Sequence, residues 1–202
     1  MQNMIIRKEN SSDCRKVEEL TRKAFWNVYR PGCLEHYLVH RARKQAGFLP
    51  ELSLVLEKDG ALIGHVMYAK AQIDTETGPL PILTFGPLSI LPGERGKGYG
   101  GLLLRRSMQL AAQTGAAALA ITGDMGFYGR FGFLPGKQLG ICYAPDPDAD
   151  YFLVAPLKAG ALDGIRGSYT DPEIYLVDEA EAEAFDGDFP PMVKEKRPGQ
   201  LF

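Results

Sequence analysis

The chain has 202 residues, of which 45% are hydrophobic and 24% charged, and a formal net charge of -2. That much apolar chain supports one buried core and is marginal for two. So small a net charge gives no long-range pull toward nucleic acid or an anionic membrane, and neither is expected as a partner.

The first ten residues are not a basic segment followed by a long apolar run, so no secretory signal and no spanning segment is expected. Cys14, Cys33 and Cys142 are odd in number, far apart and without a C-x-x-C pair. They read as free thiols in a reducing cytoplasm, and no metal site is expected.

Met4 to Arg7 reads as a short edge strand. Ser11-Ser12-Asp13 offers cap chemistry for a helix through about Tyr29, with Cys14, Val17, Leu20, Thr21, Ala24 and Phe25 as its buried stripe. Pro31-Gly32 breaks it. A second helix is expected from about Cys33 to Lys44, its end carrying His40, Arg41, Arg43 and Lys44, where cations complement the macrodipole. Leu52 to Lys58 and Ala61 to Ile73 flank Asp59-Gly60, a favoured hairpin turn, with Leu52, Leu54 and Leu56 on one face. His65 shares a face with Ile63 and Met67 and reads as a core histidine.

Pro81 to Leu91 returns as the central strand, and Pro87 within it predicts a bulge or a splayed edge. The strand ends at the turn Pro92-Gly93, which leads into Arg95-Gly-Lys-Gly-Tyr-Gly-Gly101 and a helix from Leu102 to Thr114. Gly96, Gly98 and Gly100 strip side chains from this loop, so a bulky anion can approach backbone N–H groups beside the helix's positive end. Arg95 and Lys97 add charge. This is a phosphate cradle. A mononucleotide loop needs Ser or Thr after the lysine, where Gly98 stands. A dinucleotide fingerprint is literally present in Gly96, Gly98 and Gly101, with Asp124 further on. It demands successive βαβ units, and beyond Asp124 the chain turns to hairpin-like segments.

After the helix, Gly115 is a C-cap and Ala117 to Thr122 an apolar run suited to a parallel strand. Met125 to Arg130 reads as a short helix and Phe133 to Tyr143 as the start of a strand. Ala144 to Asp150 reads as a surface loop and Tyr151 to Leu157 as a final strand. The acidic stretch Asp178 to Asp188 reads as helical or simply solvated.

Arg95-x-x-Gly98-x-Gly100 after one strand, with Tyr128-x-x-x-Gly132-Phe133 after the next, resembles the GNAT superfamily of acyl-CoA-dependent N-acyltransferases. Pro50 to Val55, Gly86 to Pro92 and Tyr128 to Phe133 are similar to a group of predicted bacterial N-acetyltransferases. The likeness covers about residues 4 to 157. It implies an α/β (α+β) fold with a mixed, mainly antiparallel twisted sheet, a splayed parallel pair and flanking helices. Residues 1–157 form the domain on this reading, with 158–202 an extension packed on or trailing from it. The resemblance implies acetyl-CoA as donor and a small-molecule or peptide amine as acceptor, with a homodimer possible by analogy. Its diphosphate falls to Arg95, Gly96, Lys97, Gly98, Tyr99 and Gly100, and its pantetheine arm to backbone groups of Leu88, Ser89 and Ile90.

Thioester aminolysis also needs an oxyanion donor, a deprotonated amine and a proton for the leaving sulfur. Leu88 or Ser89 N–H suits the first, since Pro87 has none. Tyr128 matches the family's general acid. The asparagine often found before that tyrosine is replaced by Gly123-Asp124. Asp124 either steers the amine or caps the helix at Met125. Glu51 is the alternative base, against a solvated strand end. Phe25, Trp26, Tyr29 and Tyr37 wall an acceptor cleft or are plain core. Two other functions compete: an acyl-CoA-binding module without turnover, and a dinucleotide-dependent oxidoreductase.

Overall fold

The computed structural model describes residues 3–200. In chain order its strands and α-helices are β1 (Met4–Lys8), α1 (Cys14–Phe25), α2 (Glu35–Ala42), β2 (Leu54–Lys58), β3 (Ala61–Thr75), β4 (Gly78–Ile90) and α3 (Tyr99–Ala111). They continue as β5 (Ala118–Thr122), α4 (Met125–Tyr128), β6 (Leu134–Pro135), β7 (Ile141–Tyr143), β8 (Phe152–Pro156), β9 (Gly167–Tyr169) and α5 (Glu179–Asp186). The chain forms two compact units, Met1–Met67 with Pro87–Leu104 and Glu173–Phe202, and Tyr68–Gly86 with Arg105–Pro172. The stretch 158–172 thus falls in the second unit and 173–202 in the first.

In the first unit the strand order is β1-β2-β3-β4. β1 and β2 pair antiparallel with Ile6 opposite Leu56, and the β2–β3 hairpin closes with Lys58 opposite Ala61. Asp59 at φ 49° and Gly60 at φ 84° give the two left-handed residues that a type I′ turn requires. Leu54, Val55 and Leu56 are all buried, so β2 is covered on both faces and not on one.

Asn10 caps the 3-10 turn Ser11–Asp13 that leads into α1: its side chain accepts from Ser12 N at 2.9 Å while Asp13 Oδ2 accepts from Asn10 N, and Asp13, at the N-cap position of α1, makes no side-chain cap bond to that helix. Helix α1 ends at Phe25, short of Tyr29: Trp26 turns out to a ψ of 121° and Asn27 follows in a left-handed φ of 59°. Val17, Leu20, Thr21 and Ala24 form its buried stripe. The basic residues at the end of α2 do more than face a dipole. Arg43 reaches Glu18 at 2.6 Å and Glu9 at 2.7 Å, and His40 meets Glu18 at 2.9 Å. Ser53 donates to Glu9 at 2.5 Å and lies 3.2 Å from Nε2 of the fully buried His65. Burial penalises the Glu9 charge, but His65, Arg43 and Ser53 outweigh that and hold the carboxyl at about 2.

The acidic stretch is helical, with Asp178 capping α5 through Glu181 N. Phe185 of that helix and Phe189 beyond it sandwich His36, 5.5 and 5.2 Å between ring centres. His36 is fully buried, and desolvation drives its pKa down to about 4 despite Asp186 at 3.1 Å. A folded pKa below the unfolded value of about 6.5 favours the neutral ring, so its stabilisation is complete above pH 6.5 and lost as pH falls through 4. That lowering corresponds to roughly 3 kcal/mol. Urea unfolding should show wild type losing more stability between pH 7 and pH 4.5 than His36→Gln, and parallel losses would remove His36 as the cause.

In the second unit the order is β3-β4-β5-β8-β6, with β9 pairing β3 and β7. Most pairs are antiparallel; β4–β5 and β7–β9 are parallel. Between β4 and β5 the register holds Leu83 opposite Leu119 and Thr84 opposite Ala120, while β5 pairs β8 as far as Thr122. Among the described residues the single α-helical crossover between neighbouring parallel strands, α3 between β4 and β5, is one βαβ unit and not the succession a dinucleotide domain needs. The core gathers Ile73, Ile82, Ala118, Ala120, Phe152 and Val154, with Phe152 stacked on Tyr143 and Tyr169.

Two expectations fail here for packing reasons. The run from Phe133 to Tyr143 is not one strand: β6 and β7 are separated by a 3-10 turn at Gly136–Leu139. A Cβ on Gly136 would lie 2.5 Å from the Phe152 ring, so the chain must step aside where the ring presses against its backbone. The strand β9 was not foreseen; it pairs Tyr169 with Ile73, nearly a hundred residues earlier.

Candidate active site

The glycine loop runs as expected from β4 through a 3-10 turn at Pro92–Glu94 into α3, which starts at Tyr99, earlier than Leu102. Gly96 at φ 76° and Gly98 at φ 84° take backbone conformations that side chains resist. A Cβ built on Gly93, Gly96 or Gly98 would meet nothing within 4 Å, so the cradle opens on free space. The first intrahelical bond runs from Leu102 N to Gly98 O at 3.0 Å. The N–H groups of Gly98, Tyr99, Gly100 and Gly101 therefore lie ahead of it, without an intrahelical acceptor, at the positive end of a thirteen-residue helix. These residues fit a diphosphate.

The two cations are held in place by the protein itself. Arg95 donates from Nη2 to Ala24 O, and its Nε lies 3.4 Å from Ile90 O. Lys97 donates to Gly93 O at 2.7 Å and to Glu94 at 3.0 Å. Glu94 also accepts from Lys58 at 3.2 Å, and the Lys58 ammonium stands 5.3 Å from the Tyr99 ring centre. Lys97 and then Lys58 draw the Glu94 carboxyl below its ordinary range. Lys58 and Glu94 were missed from the sequence, where only the three-residue spacing of Glu94 and Lys97 gave a signal.

At the end of β4, Leu88 and Ile90 are half-buried and alternate with fully buried Ser89, whose hydroxyl lies 3.1 Å from Thr21. Gly64 on β3 is tightly covered there, since a Cβ on it would approach Ile90 to 2.7 Å. Gly86 at φ 128°, next to Pro87 with no N–H, breaks the regular course of β4 where an irregularity was expected.

Tyr128 closes α4. Its ring packs against Phe127, Phe133 and Phe85 at 4.9, 5.6 and 5.8 Å, and a Cβ on Gly123 would sit 2.4 Å from it. The ring's close approach therefore requires glycine at residue 123. Tyr68 is fully buried with its hydroxyl 2.8 Å from Ser107; burial pushes that phenol up, and the Tyr128 hydroxyl adds to the push. Asp124 caps α4, its Oδ1 accepting from Gly126 N at 3.0 Å. Glu51 lies exposed in a 3-10 turn ahead of β2.

Of the aromatic quartet, Trp26 is buried and donates to Val193 O at 2.9 Å, and Tyr37 donates to Glu181 at 2.6 Å. Tyr29 is 46% exposed, with Phe25 beside it at 6.0 Å. The three cysteines are free, as expected. Among the described residues no His, Cys, Asp and Glu cluster suits a metal, and no helix is long and apolar enough to cross a membrane.

A family model described as the acetyltransferase (GNAT) family matches residues 18–133. The uncharacterized N-acetyltransferase YhbS of Escherichia coli is 28% identical over 165 residues, 81% of this chain and 93% of that one. Its crystal structure in complex with CoA superposes with a TM-score of 0.75 at 27% identity, covering 87% of this chain and 93% of the other. A GNAT family acetyltransferase from Brucella melitensis in complex with acetyl-CoA gives a TM-score of 0.68 at 27% identity, over 86% of this chain and 98% of that one.

Proposed function

Because the chain belongs to the acetyltransferase (GNAT) family and is an N-acetyltransferase with acetyl-CoA as donor, we propose that it acetylates a primary amine by direct attack within a ternary complex. The observation that carries this reading is the bare-amide cradle from Gly96 to Gly101 at the mouth of α3. We assign the diphosphate to the N–H groups of Gly96, Lys97, Gly98, Tyr99 and Gly100, with Arg95 beside them. The backbone of Leu88, Ser89 and Ile90 is assigned to the pantetheine arm. The Leu88 or Ser89 N–H serves the oxyanion, a role Pro87 cannot fill.

An alkylamine with a pKa near 10.4 costs about 4 to 5 kcal/mol to deprotonate at pH 7, so a carboxylate base helps. Asp124 and Glu51 are the residues assigned to the amine. Asp124 fits that role only while also capping α4, and Glu51 is open to solvent. The Tyr128 hydroxyl is assigned to protonate the departing sulfur. The acceptor is a small-molecule or peptide amine. A reducing cytoplasm suits three free cysteines, of which Cys33 is buried.

Thiol release from acetyl-CoA, followed with a panel of alkylamines, arylamines and peptides with free N-termini or lysines, tests the reading. The expected result is amine-dependent release with one acetyl group found on the amine by mass spectrometry. Release no faster than without amine across the panel, from protein that binds acetyl-CoA, would overturn it in favour of a binding module.

A further inference from the structure

The C-terminal segment and the glycine loop both grip the end of α1, at its last turn and the two residues that follow it. Toward the C-terminal segment, Arg22 is 4% exposed and its guanidinium is fully committed: Nε and Nη2 to Asp186 at 2.6 and 3.1 Å, and Nη1 to Pro190 O at 2.9 Å. It also lies 4.2 Å over the Trp26 ring. Trp26 Nε1 and Asn27 Nδ2 both donate to Val193 O at 2.9 Å, and Asn27 Oδ1 accepts from Glu195 N at 3.1 Å. A stretch with no helix or strand of its own, 190–197, is thus tied by side chains of the turn it covers.

Toward the glycine loop, helix termination leaves Ala24 O without an i+4 partner, and Arg95 fills that place. Arginine has five N–H donors in a fixed fork, and the Ala24 and Ile90 carbonyls engage two atoms of it. The position of the Ala24 carbonyl therefore sets how Arg95 stands in the loop.

We propose that the segment from Asp186 to Glu195 is a brace for the diphosphate site, with Arg22 as the positioning residue that transmits it through Ala24 to Arg95. This rests on the assignment of the loop to the diphosphate. By linkage, an anion that fixes the loop also favours the seated tail, and a seated tail favours the anion.

Trypsin reads the tail in the intact chain, because Lys194 and Lys196 are exposed. Saturating coenzyme A should slow cleavage after these residues at least threefold, whereas pantetheine, which lacks the diphosphate, should leave it unchanged. Unchanged cleavage with coenzyme A, or equal slowing by pantetheine, overturns the brace. In calorimetry Arg22→Lys should weaken coenzyme A about tenfold, yet change affinity less than twofold in an Arg95→Gln background. Additive losses overturn the coupling, and if Arg22→Lys does not fold, the digestion of wild type decides. If Gly98→Glu still binds coenzyme A, the loop assignment itself fails. If that variant loses binding but the wild-type digestion ignores coenzyme A, only the brace fails.

Discussion

Gly98→Glu is expected to abolish coenzyme A binding and leave a folded protein. Two costs enter, and they act on different quantities. Residue 98 has a φ of 84°, so any side chain there carries left-handed strain of roughly 1 to 2 kcal/mol. That strain is present with and without ligand, so it lowers stability, by about 2 to 4 °C per kcal/mol for a chain of this size, and leaves affinity untouched. The new Cβ itself meets no atom within 4 Å, so no clash adds to it. Affinity is lost to the carboxylate. At about 5 Å from a phosphate charge it costs roughly 1 to 3 kcal/mol per charge, for an effective dielectric between water and a protein surface. Two such charges give a loss of roughly 30-fold to more than 10,000-fold. Gly98→Ala separates the effects, since it shares the strain without the charge and should bind within about fivefold of wild type. Calorimetric affinity for Gly98→Glu equal to that of wild type would remove the loop from the cofactor site.

The features that the sequence exposed are those whose cause is local. A turn with two left-handed residues has few solutions, so Asp59-Gly60 announces its hairpin. Glycines at 96, 98 and 100 between a strand end and an apolar helical run announce an open row of amides in the same way. What stayed hidden was set by residues far along the chain. Just past the early end of α1 stands Asn27, whose amide serves Val193 and Glu195. The break at Gly136 belongs to the Phe152 ring, and β9 exists only because β3 offers it an edge. The same division runs through the site. The cradle was legible, but the partner of Arg95 is a main-chain carbonyl, which has no signature in sequence. His36 is buried by aromatics of α5 and the turn after it that periodicity over residues 33–44 cannot reveal. Asp124 was balanced between cap and chemistry, and it does cap α4 through Gly126 N.

That leaves Tyr128, where a packing role and a chemical role predict different outcomes for one substitution. Tyr128→Phe keeps the ring against Phe85, Phe127 and Phe133 and over Gly123, so packing alone predicts an enzyme that turns over normally. Loss of the hydroxyl should cost stability about 1 kcal/mol, the worth of one hydrogen bond. As a general acid a phenol works against an adverse match: phenols ordinarily titrate near 10 and thiols near 8.5, so full transfer to a free thiolate is uphill by roughly 2 kcal/mol. The benefit therefore belongs at the low end of the general-acid range, about 100-fold and not 10,000-fold. The expected result is a single-turnover rate reduced about 100-fold at saturating amine, with coenzyme A affinity within about twofold of wild type. Because the phenol touches only the leaving sulfur on this reading, the loss should shrink for an acetyl thioester whose thiol is more acidic and departs without help. A variant as fast as wild type on acetyl-CoA, or a deficit that is the same for every leaving group, assigns Tyr128 to packing.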